Sequence, residues 1–206
     1  MKLFGITGGV GMGKSTAGQL LRQRGVEVAD TDLVARQLTA PGRPALQEIV
    51  QRFGPRVLLA DGQLNRAELA RVVFADAGAR ADLEAILHPR IRAAWEAEAQ
   101  GWRAAGRGVG AVLVPLLFET GAAARFDAVI CVACTEASQW QRLRQRGWTD
   151  GQIRQRVAAQ WPVERKMARA DFVVWSDTSL ETHAAQLERV VLQRPLTSSG
   201  ASGAPV

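Results

Sequence analysis

Cysteine and histidine are scarce in this chain, with two of each among 206 residues. Cys131 and Cys134 form a lone C-x-x-C, and only His88 and His183 could add to it, so a four-ligand zinc site has little to draw on. "DAVICVAC" reads instead as a buried strand, in which positions three apart point to opposite faces. Both thiols are expected in the core of a protein kept in a reducing compartment. A chain of this length buries about 70% of its unfolded surface and needs no covalent staples. No apolar run approaches the ~18 residues of a membrane span. The N-terminus leads directly into a strand with no signal-peptide pattern, so the expectation is a cytoplasmic protein without a membrane partner. Blocks of five or more like charges are also missing. The 23 arginines and 3 lysines, against 20 acids, are spread along the whole chain. That spread fits a general preference for arginine over lysine, or a site for a small polyanion, better than a nucleic-acid face. No internal repeat is visible.

Glycine, by contrast, is concentrated where it can act. "GGVGMGKST", residues 8–16, fits G-x-x-x-x-G-K-[ST] at Gly8, Gly13, Lys14 and Ser15. The bare positions Gly9, Gly11 and Gly13, with Val10 and Met12 between them, let backbone N–H groups turn inward. A helix starting near Gly13 adds unpaired N–H groups and the positive end of its dipole. Lys14 supplies a mobile charge for β- and γ-phosphates, and the Ser15 hydroxyl is a Mg²⁺ ligand, with Thr16 beside it. Chance alone gives such a match in roughly a few chains per thousand of this composition. The context fits too: "KLFGIT" is a short apolar strand, and "KSTAGQLLRQRG" has helical spacing and ends in Gly25. The pattern reads as an ATP phosphate cradle.

Strand 2–7, loop 8–13 and helix 14–24 lead to "VEVAD", a second strand ending at Asp30. This is a right-handed β-loop-α-β unit with parallel strands. Residues 33–105 show only three- and four-residue apolar spacing and read as a helical insertion. Strands return at "GAVLVPLLF" (110–118), "FDAVICVAC" (126–134) and "ADFVVW". Two helices follow the second of these, one stopped by Gly147 and one opened by a capping box, Thr149 with Gln152. Thr178 with Glu181 forms a second box before helix 179–193. The expected architecture is α/β: one domain over 1–194 with a parallel sheet flanked by helices. Its core is 1–32, 106–137 and 161–194, its insertion 33–105 and its helical lid 138–160. Residues 195–206 are small, polar and aperiodic, and are expected to be disordered. Ligands of such sheets bind at the carboxyl ends of the strands.

Two further groups fall on that edge. Asp30 and Asp32, two apart on an extended chain, face the same way. A carboxylate there can hold Mg²⁺ or accept a proton from an attacking hydroxyl; the same residues also suit a turn and a helix N-cap. Arg142 and Arg146, four apart on a helix, share a face, and Arg156 lies on the next helix. They read either as a solvated basic face or as lid cations over transferring phosphates. None of the three lysines follows an asparagine, so the N-K-x-D motif of guanine-reading switch proteins is missing.

The order "GITGGVGMGKST", "VADTDLVARQL", "ILHPRI", "VPLLFE", "RLRQR" and "VAAQ", spanning about residues 5–160, resembles the dephospho-coenzyme A kinase family. That resemblance implies a P-loop kinase fold, ATP and Mg²⁺ as cofactors, and dephospho-CoA as the small-molecule partner. It implies Asp32 as the base for the ribose 3′-hydroxyl, with Asp30 and Ser15 at the metal. It also implies Lys14, Arg142 and Arg146 at the transferring phosphate and substrate contacts at Arg36, His88, Glu119 and Arg156. His88 equally suits a helix cap before Pro89, and Glu119 suits either the metal or a lid arginine. Where the family often carries "I-x-N" near the ATP base, this chain has "VVWSDT", around Trp175, Ser176 and Asp177. Another small-metabolite kinase and a nucleotide-sensing regulatory protein are the rival readings.

Overall fold

The structure, a computed structural model, describes residues 1–192; the expected tail at 195–206 lies outside them. Five parallel strands form one sheet: β1 (Lys2–Thr7), β2 (Glu27–Asp30), β3 (Val109–Leu113), β4 (Ala128–Ala133) and β5 (Phe172–Trp175), in the order β2-β3-β1-β4-β5. Every pair is parallel, with Ile6 opposite Leu113 and Ile130. β4 is buried along its whole length and is an unbroken apolar run, as a strand covered on both faces requires.

Alternation along β1 divides the core. Phe4 and Ile6 pack with Leu21 of α1 (Lys14–Arg22) and Leu187 of α9 (Leu180–Val191). Leu3 points to the opposite face, where it meets Trp95 and Ala99 of the long α5 (Ala77–Ala104). Trp95 stacks on Phe126 with ring centroids 5.3 Å apart. At about 25 cal/mol per Å² of apolar area, this two-sided burial is the main force holding the sheet.

The segment after β2 is helical: α2 (Thr31–Leu38), α3 (Pro44–Phe53), α4 (Arg66–Ala75) and α5. Its β content among the described residues is a single bridge, Leu58 to Leu64. It carries a small core of its own around Ile49, Phe53, Val57 and Leu69. After β4 come α6 (Glu136–Gln145), α7 (Asp150–Ala158) and the short α8 (Val163–Met167). α7 opens on the expected reciprocal box, with Thr149 Oγ1 accepting from Gln152 N–H and the Gln152 side chain accepting from Thr149 N–H. Among the described residues no helix is long and apolar enough to cross a membrane.

Three sequence expectations are corrected. β3 stops at Leu113 and does not reach 118, because Pro115 has no N–H to continue the ladder. The chain turns instead, with Thr120 N–H bonding back to Leu116 O. α5 runs through Pro89, so Pro89 does not open a helix and His88 is not a cap. The cap of α9 is Ser179, one residue past Thr178, accepting from Thr182 N–H. Trp175 is 42% exposed at the end of the edge strand. Both cysteines are buried free thiols, as expected.

Candidate active site

The loop from Gly8 to Gly13 leaves β1 and turns into α1 at the carboxyl edge of the sheet. A Cβ on Gly8 would lie 2.2 Å from the Val132 carbonyl oxygen, so only glycine lets the loop lie on β4. Gly13 precedes α1 in the left-handed region (φ 95°), and α1 has no side-chain cap. Its first-turn N–H groups are therefore left for a ligand. Ser15 is exposed in that turn. Lys14 Nζ folds back to donate to Gly8 O (2.9 Å) and Gly9 O (2.8 Å). Lost hydration, then the nearby charge of Lys166, hold its ammonium down at about 8.

Asp30 and Asp32 lie on the same edge, but not as alternate residues of a strand. Asp30 ends β2 and caps α2, its Oδ1 accepting from Asp32 N–H at 2.9 Å. Asp32 is already in the first helical turn. Its carboxyl is open to water at the mouth of a cavity. It is nevertheless pushed up by the hydration that surrounding protein displaces, then by Asp30, with Lys14 and Arg36 opposing. Ser15 and Asp30 are hard oxygen donors on one edge. They suit Mg²⁺, which keeps few protein ligands and takes the rest from phosphates and water. No cluster of three or more His, Cys, Asp and Glu able to hold a metal by itself is found among the described residues.

Behind the cradle lies a cation that sequence reasoning missed. Lys166 is fully buried, donating to Pro115 O (2.7 Å) and pairing with Glu119 Oε1 (2.8 Å). The same oxygen accepts from Trp161 N–H at 2.9 Å, and Glu119 Oε2 is buried without a partner. Glu119 thus faces a lysine, not a lid arginine.

Two cavities open beside the cradle. One of about 370 Å³ is lined by Asp32, His88, Trp95 and the three arginines 92, 125 and 156. The other, of about 610 Å³, runs between α4, α5 and the end of α7, past Leu83, Leu87, Glu119 and Trp161. His88, Arg156, Val10 and Gln160 border both. Arg36 is exposed on α2 beside Asp32 and borders neither.

The two arginines of α6 part company. Arg142 does not stand free above the cradle. It donates to Ser176 Oγ (2.8 Å), Ser176 O (2.7 Å) and Asp177 Oδ1 (3.3 Å), beside a third cavity of about 380 Å³. Ser176 Oγ in turn donates to Met12 O at 2.9 Å, against Gly13. Arg146 is exposed at the C-terminal end of α6.

A family model described as CoaE, dephospho-CoA kinase, matches residues 2–182. The chain belongs to the dephospho-CoA kinase family. A relative in Anaeromyxobacter dehalogenans, named dephospho-CoA kinase, is 44% identical over 93% of this chain and 91% of its own. One of the same name in Bdellovibrio bacteriovorus is 38% identical over 93% and 95%. A solved structure from Thermus thermophilus superposes with a TM-score of 0.78 at 34% identity, covering 92% of this chain and 95% of that one. The five-stranded parallel sheet, the cradle after β1 and the flanking helices are the P-loop kinase fold of this family.

The structure brings Asp32, His88 and Arg156 around one cavity, with Lys14 near enough to act on the charge of Asp32, and sets Arg142, Arg146 and Arg36 outside it. Sequence reasoning missed Arg92, Arg125, Gln160 and Lys166. The arginines carry no signal beyond helical or turn placement. Lys166 had one usable sign: it is one of three lysines in a chain that otherwise uses arginine.

Proposed function

We propose that the chain transfers the γ-phosphoryl group of ATP to the ribose 3′-hydroxyl of dephospho-CoA, giving coenzyme A. One observation carries this reading. A carboxylate, Asp32, stands at the mouth of a cavity that borders the cradle at Val10 and is lined by three arginines. Cations so placed suit an acceptor that brings its own phosphates, as dephospho-CoA does with its diphosphate. The larger cavity beside it, with Phe74, Leu83 and Leu87 in its wall, has room for the pantetheine arm.

In this mechanism the N–H groups of Gly11 to Thr16 hold the phosphates and Lys14 sits against the β- and γ-oxygens. Ser15 and Asp30 are the residues that hold Mg²⁺, whose role when bound is to neutralise charge on the phosphates. Asp32 accepts the proton of the 3′-hydroxyl as that oxygen attacks the phosphorus in line and ADP leaves. Its raised proton affinity suits a base. Arg156, bordering both cavities, and Arg146, at the free end of the lid, meet the transferring charge on closure. Arg142 acts from the base side, joining the Ser176–Asp177 turn to the cradle through Met12. His88 lies between the arm and the nucleoside, and Glu119 holds Lys166. Rate enhancement comes mainly from positioning and charge stabilisation.

The test is product analysis. ATP, Mg²⁺ and dephospho-CoA should give ADP and one product whose added phosphate, located by ³¹P NMR, is on the 3′-oxygen. ADP release independent of dephospho-CoA would contradict the assignment.

A further inference from the structure

Val10, at the tip of the cradle, is bonded to both roots of the lid. Its N–H donates to Gln160 Oε1 at 2.9 Å, and its carbonyl accepts from Gln139 Nε2 at 2.7 Å. Gln139 is buried in the first turn of α6, where the lid departs. Gln160 follows α7, where it returns. The segment carrying Gln160 is itself anchored. The next residue, Trp161, donates its N–H to Glu119, stacks on Phe118 at 6.2 Å and lies 3.5 Å from the Arg165 guanidinium.

A peptide unit is planar and trans, so its N–H and C=O point in opposite directions. The Val10 N–H belongs to the Gly9–Val10 peptide. With that N–H turned to Gln160, the Gly9 carbonyl faces the other way, where it accepts from Lys14 Nζ at 2.8 Å. The Val10 carbonyl belongs to the next peptide. Holding it at Gln139 aims the Gly11 N–H away from α6. Glycines at 9 and 11 give these peptides little intrinsic preference, and Gly11 already sits at φ 77°. Within the loop the Gly9 carbonyl is held only by a long bond from Met12 N–H, 3.3 Å, so the shorter bonds from Gln160 and Gln139 are the stronger ties on these peptides.

We infer that Gln160 is a positioning residue: through the Gly9–Val10 peptide it fixes the carbonyl on which Lys14 rests, and with Gln139 it ties the phosphate cradle to both roots of the lid. The inference rests on the proposed phosphoryl transfer for its kinetic consequence. Its consequence for ATP binding is independent of any acceptor.

The experiment compares the full chain with Gln160→Leu, Gln139→Leu and the double variant. Calorimetry with ATP and Mg²⁺ gives Kd, and steady-state rates with dephospho-CoA give kcat and KM. One lost hydrogen bond corresponds to about a three- to tenfold change. Each single variant should weaken ATP binding by about that factor and lower kcat by a similar one. KM for dephospho-CoA should stay within about twofold. The double variant should lose less than the product of the singles, because both bonds orient one residue's backbone. ATP affinity and kcat within twofold of wild type in both singles would overturn the inference. So would an effect confined to KM for dephospho-CoA, which would mean that Gln160 acts only as part of the cavity walls it lines and not on the cradle. If the leucine variants fail to fold, amide exchange in the wild-type protein decides: a protected Val10 N–H supports the clamp, and exchange at the rate of an open loop refutes it. A wild-type chain that binds ATP but leaves dephospho-CoA unphosphorylated would refute the functional reading and leave the calorimetric test intact.

Discussion

In the proposed mechanism Lys14 and Asp32 divide the chemistry between a cation and a base, and both have displaced proton affinities for the same first reason, lost hydration. For Lys14 the neutral form is favoured, so its ammonium is charged below about pH 8 and loses charge above it. ATP affinity of the free enzyme should therefore fall as pH rises through about 8, measured by titration at fixed Mg²⁺. For Asp32 the protonated form is favoured, so a base at this position fails at a pH above the usual carboxylate range. The wild-type kcat/KM should therefore show an acidic limb above that range, and Asp32→Asn should transfer no phosphate while still binding ATP. Lys14→Ala should fold and lose on the order of 10²–10³ in turnover, by analogy with removing one preorganised donor. A folded Lys14→Ala enzyme with near-normal turnover would remove the lysine from the mechanism.

At the scale of elements, the buried Glu119–Lys166 pair is the joint that matters. It ties the turn after β3 to α8 and to the segment after α7 at Trp161. Removing one partner leaves an uncompensated buried charge, typically about 3–5 kcal/mol. Lys166→Met should therefore lower stability by that order in chemical denaturation. The double change Lys166→Met with Glu119→Gln should recover much of the loss, because neither group is then left charged. Equal instability of the single and the double variant would mean that the pair is not the source of the effect.

Elements were legible in the sequence wherever one local rule decided them. The glycine-bounded cradle, the α7 capping box and the buried β4 run fall where spacing puts them. The departures share a cause in tertiary contacts. Asp30 and Asp32 read as strand neighbours until α2 began one residue after Asp30. Pro89 reads as a helix start, yet packing along Ile86, Leu87 and Ile91 carries α5 through it. Arg142 reads as a lid cation, while the Ser176–Asp177 turn, 34 residues away, claims it. Gln160 and Lys166 bond to backbone atoms 150 and 51 residues distant, and such contacts leave no periodic trace.

For the whole molecule, the insertion between β2 and β3 is the feature that a small acceptor does not explain. It has its own apolar cluster around Ile49 and Phe53. It also walls a cavity of about 610 Å³ next to the one holding Asp32. Binding energy from a long arm in that space can be used to place the 3′-hydroxyl, so an acceptor lacking the arm loses turnover as well as affinity. The most direct test is the initial rate of ADP release with dephospho-CoA, AMP and adenosine under identical ATP and Mg²⁺. Dephospho-CoA should be phosphorylated with a kcat/KM orders of magnitude above the other two; equal or better use of AMP would contradict the account.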